Sequence, residues 1–350
     1  MKSDKTIIQR NDSDLNHSEH SGLDVTIILL MFNPILEKCL FTLESVLAQQ
    51  DVSFEVIVSD DGSSNPLTEK LAAFFESKSF YNYRFVLHEK NQGTVINCFD
   101  ALKISDGRFV KLISPGDAFA NPKSLCIWMH GLIRSGKKWS MGEAYYYIND
   151  SNKNVKIVSC HSHPQNRDVY LKEDYEKSVW QYLVLNDPPL GAALLVERKL
   201  MIYYLRRLLG KVIYYEDSVF RSIIFDGYLP FYEKSYVIIY EYGTGISTNT
   251  NPEWSKKLLL DVRNIEKIII KSSVKMTDFQ KRIIKSLKKH HICNENSVFQ
   301  WFLKFLDKGK IIKAIRFRLV PRMTKDKLAS VPAWWIRLKN GYYSKKAKEI

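Results

Sequence analysis

The chain has 350 residues, enough to bury the core of one large domain with an extension. A hydrophobic fraction of 45% and a charged fraction of 26% indicate a globular body and exclude a chain that is disordered throughout. The formal net charge of +14 predicts an acidic partner, which is a nucleic acid, an anionic membrane surface or a phosphorylated substrate.

The first segment, residues 1–22, is polar and mixed in charge, so we predict a disordered lead-in without a secretory signal. The longest clean apolar run follows at 25–32 and is far shorter than the ~20 residues that a membrane helix needs. The five cysteines are scattered and form no C-x-x-C pair, which predicts reduced thiols in a cytosolic protein rather than a zinc site or a disulfide framework. We therefore expect any membrane contact to be peripheral.

Strands and helices alternate along the N-terminal part of the chain. The continuous apolar run 25–32 is typical of a central parallel strand that is covered on both faces. Leucines recur at helical spacing after Pro34, and a second strand rich in β-branched residues begins at Phe54. The further predicted helices are 67–77 and 95–104, the latter with Gly107 as its C-cap, and the further predicted strands are 83–87 and 108–113. This order predicts right-handed parallel units.

Acidic residues follow two of these strands directly. Asp60 and Asp61 end the strand that begins at Phe54, and Asp117 follows the strand at 108–113 within Ser-Pro-Gly-Asp. The carboxyl ends of parallel strands form the edge of an open α/β sheet at which ligands bind. Asp, Gly and Ser are also ordinary turn residues, so a purely structural turn is the alternative at both places.

A second acidic pair, Glu216 and Asp217, precedes an apolar helical face. Acidic residues at a helix N-terminus are favoured by the helix dipole whatever the function, which is the alternative interpretation of this pair. The segments predicted before it are a helix at 125–134, a strand at 143–148, a loop with His161 and His163, and a tight loop at 186–191 that enters a buried strand. Residues 229–242 predict further strand structure that ends in a glycine-containing loop.

The C-terminal region, residues 249–350, has a different composition. It contains predicted helices at 254–270 and 279–291, and the second is rich in lysine. Residues 298–319 mix aromatic with basic side chains, as an interfacial membrane helix does, and 332–339 repeats this pattern on a small scale. A helical cap packed on the rest of the chain, with solvated lysines, is the alternative.

The order of these motifs resembles the N-terminal half of the family 2 glycosyltransferases, which are inverting enzymes with a GT-A fold. The resemblance covers residues 25–121, and a second, shorter match follows at Glu216 and Asp217. It implies a GT-A-like α/β fold with a central, mostly parallel sheet and a C-terminal, mainly helical extension. The implied division is a disordered lead-in over 1–22, a GT-A glycosyltransferase domain over 23–248 and a basic, mainly helical region over 249–350.

The resemblance also assigns roles to single residues. The acidic turn after the second strand, Asp60 and Asp61, would hold the nucleotide, with Asp61 on the base. Phe32 would lie beside the base, and a carboxylate that faces the imide N–H of uracil favours a UDP-sugar. Glu216 and Asp217 would be the catalytic pair, in which Asp217 is the general base that takes the proton of the acceptor hydroxyl.

Members of this family bind a divalent cation through an Asp-x-Asp signature at the end of the fourth strand. This chain has Ser114-Pro-Gly-Asp117 there, so that Asp117 is the one acidic residue of the segment. Mg²⁺ can use a single carboxylate together with phosphate oxygens and waters. We therefore expect weak or substrate-dependent binding of Mg²⁺ or Mn²⁺ at Asp117, and a metal-independent enzyme is the alternative.

The resemblance implies a non-processive glycosyltransferase, since the Gln-x-x-Arg-Trp motif and the membrane spans of processive members are not found. The expected acceptor is lipid-linked or a polysaccharide, in the biosynthesis of a bacterial surface polysaccharide such as O-antigen or capsule. The expected location is cytoplasmic, peripherally at the inner face of the cell membrane, with no nucleic acid as partner. One alternative is a sugar nucleotidyltransferase, whose glycine-rich phosphate loop is missing after the first strand. The other is a non-catalytic basic membrane-surface or nucleic-acid-binding protein on a decayed transferase fold.

Overall fold

The computed structural model describes residues 6–10, 22–149, 155–159, 164, 166–245, 252–271 and 276–292. Within these residues a mixed ten-stranded sheet is covered by helices on both faces. The strands are β1 Thr6–Arg10, β2 Val25–Met31, β3 Phe54–Asp60, β4 Tyr83–His88, β5 Phe109–Ile113, β6 Ala118–Phe119, β7 Trp139–Asn149, β8 Val155–Ser159, β9 Leu194–Glu197 and β10 Phe231–Glu241. The helices are α1 Leu36–Leu47, α2 Thr68–Ser77, α3 Thr94–Lys103, α4 Ser124–Ser135, α5 Asp168–Leu171, α6 Tyr175–Val179, α7 Arg198–Arg206, α8 Val219–Phe225, α9 Pro252–Lys271 and α10 Asp278–Ile292.

The strand order is β1-β4-β3-β2-β5-β9-β7-β10-β6, with β8 paired to β7. β2 lies at the parallel centre between β3 and β5, and all seven of its residues are buried. Its uninterrupted apolar sequence fits this position because both faces of the strand are covered. β9 runs antiparallel to its neighbours β5 and β7, whereas β10 pairs in parallel with β7. The predicted α/β class and the mostly parallel sheet centre are confirmed.

Parallel pairing brings the polar turns to one edge of the sheet. Met31 lies opposite Asp60 in the β2–β3 pair, and Leu29 lies opposite Ile113 in the β2–β5 pair. The turns that follow β3 and β5 therefore leave the sheet on either side of the end of β2. Ligands bind at this edge in open α/β sheets.

The two faces of the sheet bury separate cores, because side chains alternate along each strand. On one face Ile27 and Leu29 belong to a core that includes residues of α1, α2 and α4. On the other face Ile28 and Leu30 belong to a core that includes residues of α3, α7 and α8. The carboxyl edge of the sheet, where the acidic turns lie, is thus held between two packed layers of helices.

The helices α9 and α10 join the second of these cores. Ile265 and Ile269 of α9 and Ile283 and Leu287 of α10 are buried there. This packing agrees with the helical-cap interpretation for the described part of the C-terminal region, whereas the aromatic and basic segments beyond residue 292 lie outside the described residues. No helix in the described part of the chain is long and apolar enough to cross a bilayer.

The strand β1 lies within the segment that the sequence predicts as a disordered lead-in. It pairs antiparallel with β4, with Thr6 opposite His88 and Arg10 opposite Arg84. The three consecutive residues Thr6 to Ile8 are β-branched, which suits an edge strand. The predicted disorder of residues 1–5 and 11–21 lies outside the described residues.

Gly107 is not the C-cap of α3, contrary to the prediction. The C-cap is Ile104, with a φ of −104°, so the end of this helix does not use a left-handed residue. A Cβ added at Gly107 would overlap the backbone of Val25 and Thr26, and the Gly107 N–H donates to Thr26 Oγ1 at 2.9 Å. The glycine is required by the close approach of two backbone segments at the amino edge of β2.

Candidate active site

A cavity of about 450 Å³ opens at the carboxyl edge of β2 and β5. Five of the six residues that the sequence predicts for the site line it, namely Phe32, Asp61, Asp117, Glu216 and Asp217. These residues come from the turns after β2, β3 and β5 and from the turn before α8. Distant parts of the sequence therefore meet in one concave site, although the roles assigned to these residues stay predictions.

Asp61 is held rigidly at the wall of the cavity. Its Oδ1 accepts the N–H of Gln92 at 2.8 Å, and its Oδ2 accepts the N–H of Gly93 at 2.9 Å. Burial raises the pKa of Asp61, and these two hydrogen bonds offset part of that rise. The segment Asn91-Gln-Gly93 thus orients the carboxylate, although the sequence indicates it only as a connection between a strand and a helix.

Asp60 is the predicted site residue that does not line the cavity. Its Oδ1 accepts the N–H of Ser63 at 2.8 Å, as an aspartate does in an ordinary turn. The turn is tied to the end of β2, since the Asn33 N–H donates to Ser63 Oγ at 2.7 Å and the Ser64 N–H donates to Asn33 Oδ1 at 2.9 Å. Phe32 directly precedes this junction, and its side chain is 49% exposed.

Glu216 and Asp217 lie in a single 3₁₀ turn, Glu216–Ser218, that leads into α8. Burial raises the pKa of Asp217 to about 8, the Glu216 carboxylate adds to the rise, and the Lys111 ammonium opposes it. Burial also raises the pKa of Glu216. A carboxylate with a raised pKa is a stronger base once it is ionised, which suits proton abstraction near neutral pH.

Lys111 is a functional candidate that the sequence analysis missed. It lies fully buried in β5, where its Nζ donates to Ala192 O at 2.8 Å and also to Leu112 O. Burial lowers its pKa to about 8, whereas Asp117 and Asp217 raise it. A lysine within the apolar strand Phe-Val-Lys-Leu-Ile was the available signal, because buried lysines are rare without a partner.

The corner formed by Ser114-Pro-Gly-Asp117 meets the end of β10. Asp117 Oδ1 accepts the N–H of Glu241 at 3.0 Å, and burial raises the pKa of Asp117 to about 7. A Cβ added at Gly116 would overlap Glu241 Oε2, so the Glu241 carboxylate fills the space beside this glycine. Lys38 Nζ lies 2.7 Å from Glu241 Oε2. The corner thus combines two carboxylates with a lysine from α1.

The donor atoms of this corner do not fit a preformed site for a divalent cation. No group of three or more His, Cys, Asp or Glu side chains that could hold a metal occurs in the part of the chain that the structure describes. The Glu241 carboxylate is paired with Lys38, and Asp117 accepts a backbone N–H and is attracted by Lys111. Mg²⁺ and Mn²⁺ prefer several oxygen ligands. The predicted metal role of Asp117 is therefore not favoured by this arrangement.

Helix α9 completes one wall of the cavity. Its buried Asp261 accepts the N–H of Ile213 at 3.1 Å and that of Tyr214 at 2.7 Å. The Tyr214 and Trp254 rings are 5.2 Å apart and perpendicular, and both residues line the cavity. The predicted division between residues 248 and 249 thus separates residues that share one site. The sequence analysis assigned no role to Asp261, Tyr214 or Trp254.

The Gly191→Ala variant is expected to lower turnover at least about tenfold, because it would misplace the predicted general base Asp217, and misplacing a catalytic group is costly. A Cβ at Gly191 would overlap Asp217 Oδ2, so the carboxylate must move. Donor affinity, measured by calorimetry, is expected to stay within about threefold, since the affected residues are not assigned to the nucleotide.

Gly210→Ala is the matched control for this substitution. Gly210 has a φ of +70° and open space around it, so alanine there strains the backbone without touching the cavity. We expect a lower melting temperature with unchanged turnover. A Gly191→Ala enzyme with full turnover would contradict the assigned position of the Asp217 carboxylate.

Comparison with known proteins agrees with this architecture. The family model described as glycosyl transferase family 2 matches residues 26–180. The chain is similar to the mannosyltransferase PcManGT from Pyrobaculum calidifontis in complex with GDP-Man and Mn²⁺, with 14% identity, a TM-score of 0.50, and 92% of this chain and 88% of that chain covered. S. aureus TarS 1–349 in complex with UDP matches with 15% identity, a TM-score of 0.47, and 85% of this chain and 81% of that chain covered.

A search of curated protein sequences finds no match to this chain. The likeness to PcManGT is a likeness of fold, because so low an identity carries no substrate from one protein to another. The family match covers β2 to α6, which includes the acidic turns after β3 and β5. Residues 26–180 thus match glycosyl transferase family 2, and the chain is a glycosyltransferase with the GT-A fold.

Proposed function

We propose that this glycosyltransferase is inverting and non-processive and moves a sugar from a UDP-sugar to a lipid-linked or polysaccharide acceptor. The observation that carries the proposal is that Asp61, Asp117 and Asp217 line one cavity together with Phe32. The three carboxylates come from turns that are far apart in sequence. The proposed nucleotide-binding residues and the candidate general base thereby face the same cavity.

The donor base is assigned to the wall formed by Phe32 and Asp61. The ring of Phe32 is half-exposed at the end of β2, where it can pack against a planar base. Each carboxylate oxygen of Asp61 accepts one backbone N–H and has a second lone pair that can accept another. The imide N–H of uracil is a suitable donor, which supports a uridine nucleotide.

Asp217 is assigned as the general base. Its carboxylate takes the proton from the acceptor hydroxyl while that oxygen forms a bond to the anomeric carbon. The bond from this carbon to the diphosphate oxygen breaks on the opposite face, and its electron pair stays on the nucleoside diphosphate. The products are the glycosylated acceptor with inverted configuration, the nucleoside diphosphate and a protonated Asp217.

The acceptor is assigned to the cavity wall next to the general base Asp217. Tyr214 directly precedes the Tyr215-Glu216-Asp217 segment, and Trp254 packs against Tyr214 across the end of α9. Large rings at this place suit a bulky acceptor rather than water. The net charge of +14 and the aromatic, basic sequence of residues 298–319 support a location at an anionic inner membrane surface, where lipid-linked acceptors of surface polysaccharide synthesis are found.

Isothermal titration with UDP tests the donor site. The wild-type protein is expected to bind UDP with micromolar affinity, and Asp61→Ala is expected to weaken binding at least about tenfold, because it removes a charged hydrogen-bond acceptor. The matched control is Asp106→Ala. Asp106 pairs with Arg84 at 2.8 Å at the opposite edge of the sheet, so UDP affinity is expected to stay unchanged.

The same titration is repeated with Mg²⁺, with Mn²⁺ and with a chelator, and with GDP in place of UDP. If neither diphosphate binds under any of these conditions, the proposed transferase is contradicted. A basic membrane-surface or nucleic-acid-binding protein on a decayed transferase fold then becomes the better account. Tight binding of GDP with none of UDP would contradict only the uridine assignment.

A further inference from the structure

The departing diphosphate of the proposed reaction needs positive charge nearby. Among the described residues that line the cavity, Lys38 is the one with a basic side chain. It lies in the first turn of α1, and the segment before that helix, which includes Phe32, lines the cavity as well. A single stretch of chain thus presents both Phe32, which is assigned to the nucleotide base, and the cation of Lys38.

The ammonium group of Lys38 has a fixed place. Its Nζ lies 2.7 Å from Oε2 of Glu241, whose side chain is 2% exposed, whereas the side chain of Lys38 is 20% exposed. An ammonium carries three N–H donors, and this contact uses one of them. The buried carboxylate thereby holds the cation at the cavity wall, and the partial exposure of the lysine leaves the cation accessible to a ligand.

Glu241 is itself positioned by the corner that departs from the family signature. Its carboxylate fills the space beside Gly116, and its backbone N–H donates to Asp117 at 3.0 Å. A side chain at position 116 would displace the carboxylate, and with it the partner of Lys38. The glycine at position 116 and the Lys38–Glu241 pair are therefore two aspects of one arrangement.

The charges at this corner are already balanced. Glu241 is paired with Lys38, and Asp117 lies close enough to the buried Lys111 for mutual attraction. A signature with two unpaired carboxylates would attract a divalent cation, whereas this corner holds two ammonium groups against its two carboxylates. The chain thus carries its own cation where metal-dependent relatives would recruit one.

We propose that Lys38 binds the diphosphate of the donor and supplies the positive charge that a divalent cation supplies in metal-dependent transferases. This inference rests on the proposed function, since it requires a nucleotide donor in this cavity. It makes the chain a metal-independent transferase whose diphosphate site is Lys38, held by Glu241. The ligand class is a nucleoside diphosphate, recognised through its phosphate oxygens.

Calorimetry with UDP and with uridine separates the phosphate contribution from that of the base. In the presence of a chelator the wild-type protein is expected to bind UDP, and added Mg²⁺ or Mn²⁺ is expected to change the affinity by less than about threefold. Lys38→Ala is expected to weaken UDP binding at least about tenfold, because a charge-assisted contact to phosphate is lost. Uridine binding is expected to stay unchanged, since uridine has no phosphate.

Lys137→Ala is the matched control, because Lys137 is 23% exposed and pairs with Glu173 at 3.1 Å away from the cavity. Its UDP affinity is expected to equal that of the wild type. Since Lys38→Ala leaves Glu241 without its cation, Glu241→Gln is measured as well. It keeps the lysine and a side-chain oxygen that can accept its hydrogen bond, and removes only the negative charge, so UDP binding in the chelator is expected to be kept or tightened.

The outcomes distinguish this inference from the function on which it rests. Binding of UDP that requires Mg²⁺ or Mn²⁺ and is equal in wild type and Lys38→Ala would overturn the inference and leave the transferase intact. Equal weakening of UDP and uridine in Lys38→Ala would also overturn it, because the effect would not be on phosphate. If no nucleoside diphosphate binds to the wild-type protein, the proposed function itself fails.

Discussion

Asp217→Asn is expected to lower turnover about a thousandfold, within the range that loss of a general base costs. The amide has nearly the same shape and still fits against Gly191, but it cannot take the proton of the acceptor hydroxyl. UDP affinity is expected to stay within about threefold, since the loss falls on the transition state rather than on donor binding. The measurement is steady-state turnover beside calorimetry of the same preparation.

Glu216→Gln is the matched control for this substitution, because Glu216 is the other acidic residue of the same turn. We expect a loss of at most about tenfold, which reflects an altered pKa of Asp217 rather than a missing base. The opposite ranking, with Glu216→Gln inactive and Asp217→Asn active, would assign the base to Glu216. Full activity of both variants would place the base elsewhere.

Asp217→Asn is also expected to stabilise the fold. The pKa of Asp217 rises from an ordinary 3.8 to about 8 in the folded protein, so folding favours its protonated form. Stability from this group is present at low pH and is lost as the pH rises from about 4 to about 8. Asp217→Asn is therefore expected to melt a few degrees higher than wild type at pH 8, with the difference vanishing near pH 4.

In the pH profile of kcat/KM, the fall on the acidic side is expected to have its midpoint near pH 8 rather than near pH 4. We call this fall the acidic limb. Burial and the neighbouring Glu216 raise the pKa of Asp217 to about 8, and the base must be ionised to act. At pH 6 only about 1% of a group with this pKa is ionised, so kcat/KM is expected to be about a hundredfold below its plateau. A pH series of initial rates at low substrate checks this, since kcat/KM reports the free enzyme.

Lys111→Met shows whether this limb belongs to Asp217. The Lys111 ammonium opposes the rise in the pKa of Asp217, so its removal is expected to move the limb to still higher pH. Lys111 has a pKa lowered to about 8 and titrates in the same range, which makes the wild-type limb a property of the interacting groups. A wild-type limb near pH 4 or 5 would contradict the buried position of the base.

Local sequence patterns predicted most of the sheet and the acidic part of the site. The apolar run of β2 and the β-branched residues of β3 show their strands without knowledge of the fold, because alternation and burial on both faces are local signals. Once parallel strands are placed, Asp61 and Asp117 must reach one edge. Phe32, Asp61 and Asp117 consequently line the cavity, and Glu216 and Asp217, which the resemblance assigned to the site, line it as well.

Contacts between distant segments were not predicted. Gly107 was misassigned as a helix cap because its neighbour, the amino edge of β2, comes from another part of the chain. Asp261 was missed because an aspartate on a polar helix carries no sign that it will accept two backbone N–H groups of the segment before α8. Helical periodicity shows which face of α9 is apolar, but it does not show what that face meets.

The sequence by itself determined the α/β class, the order of strands and helices from β2 to β5, and the presence of acidic residues at the carboxyl edge, because periodicity and turn chemistry act over a few residues. Only the tertiary structure decided how the charges of the site are paired. Lys38 and Glu241 are 203 positions apart, and Gly116 shows its role only when β10 lies beside it. Pairing of charges depends on distance in space, and that distance exists only in the folded chain.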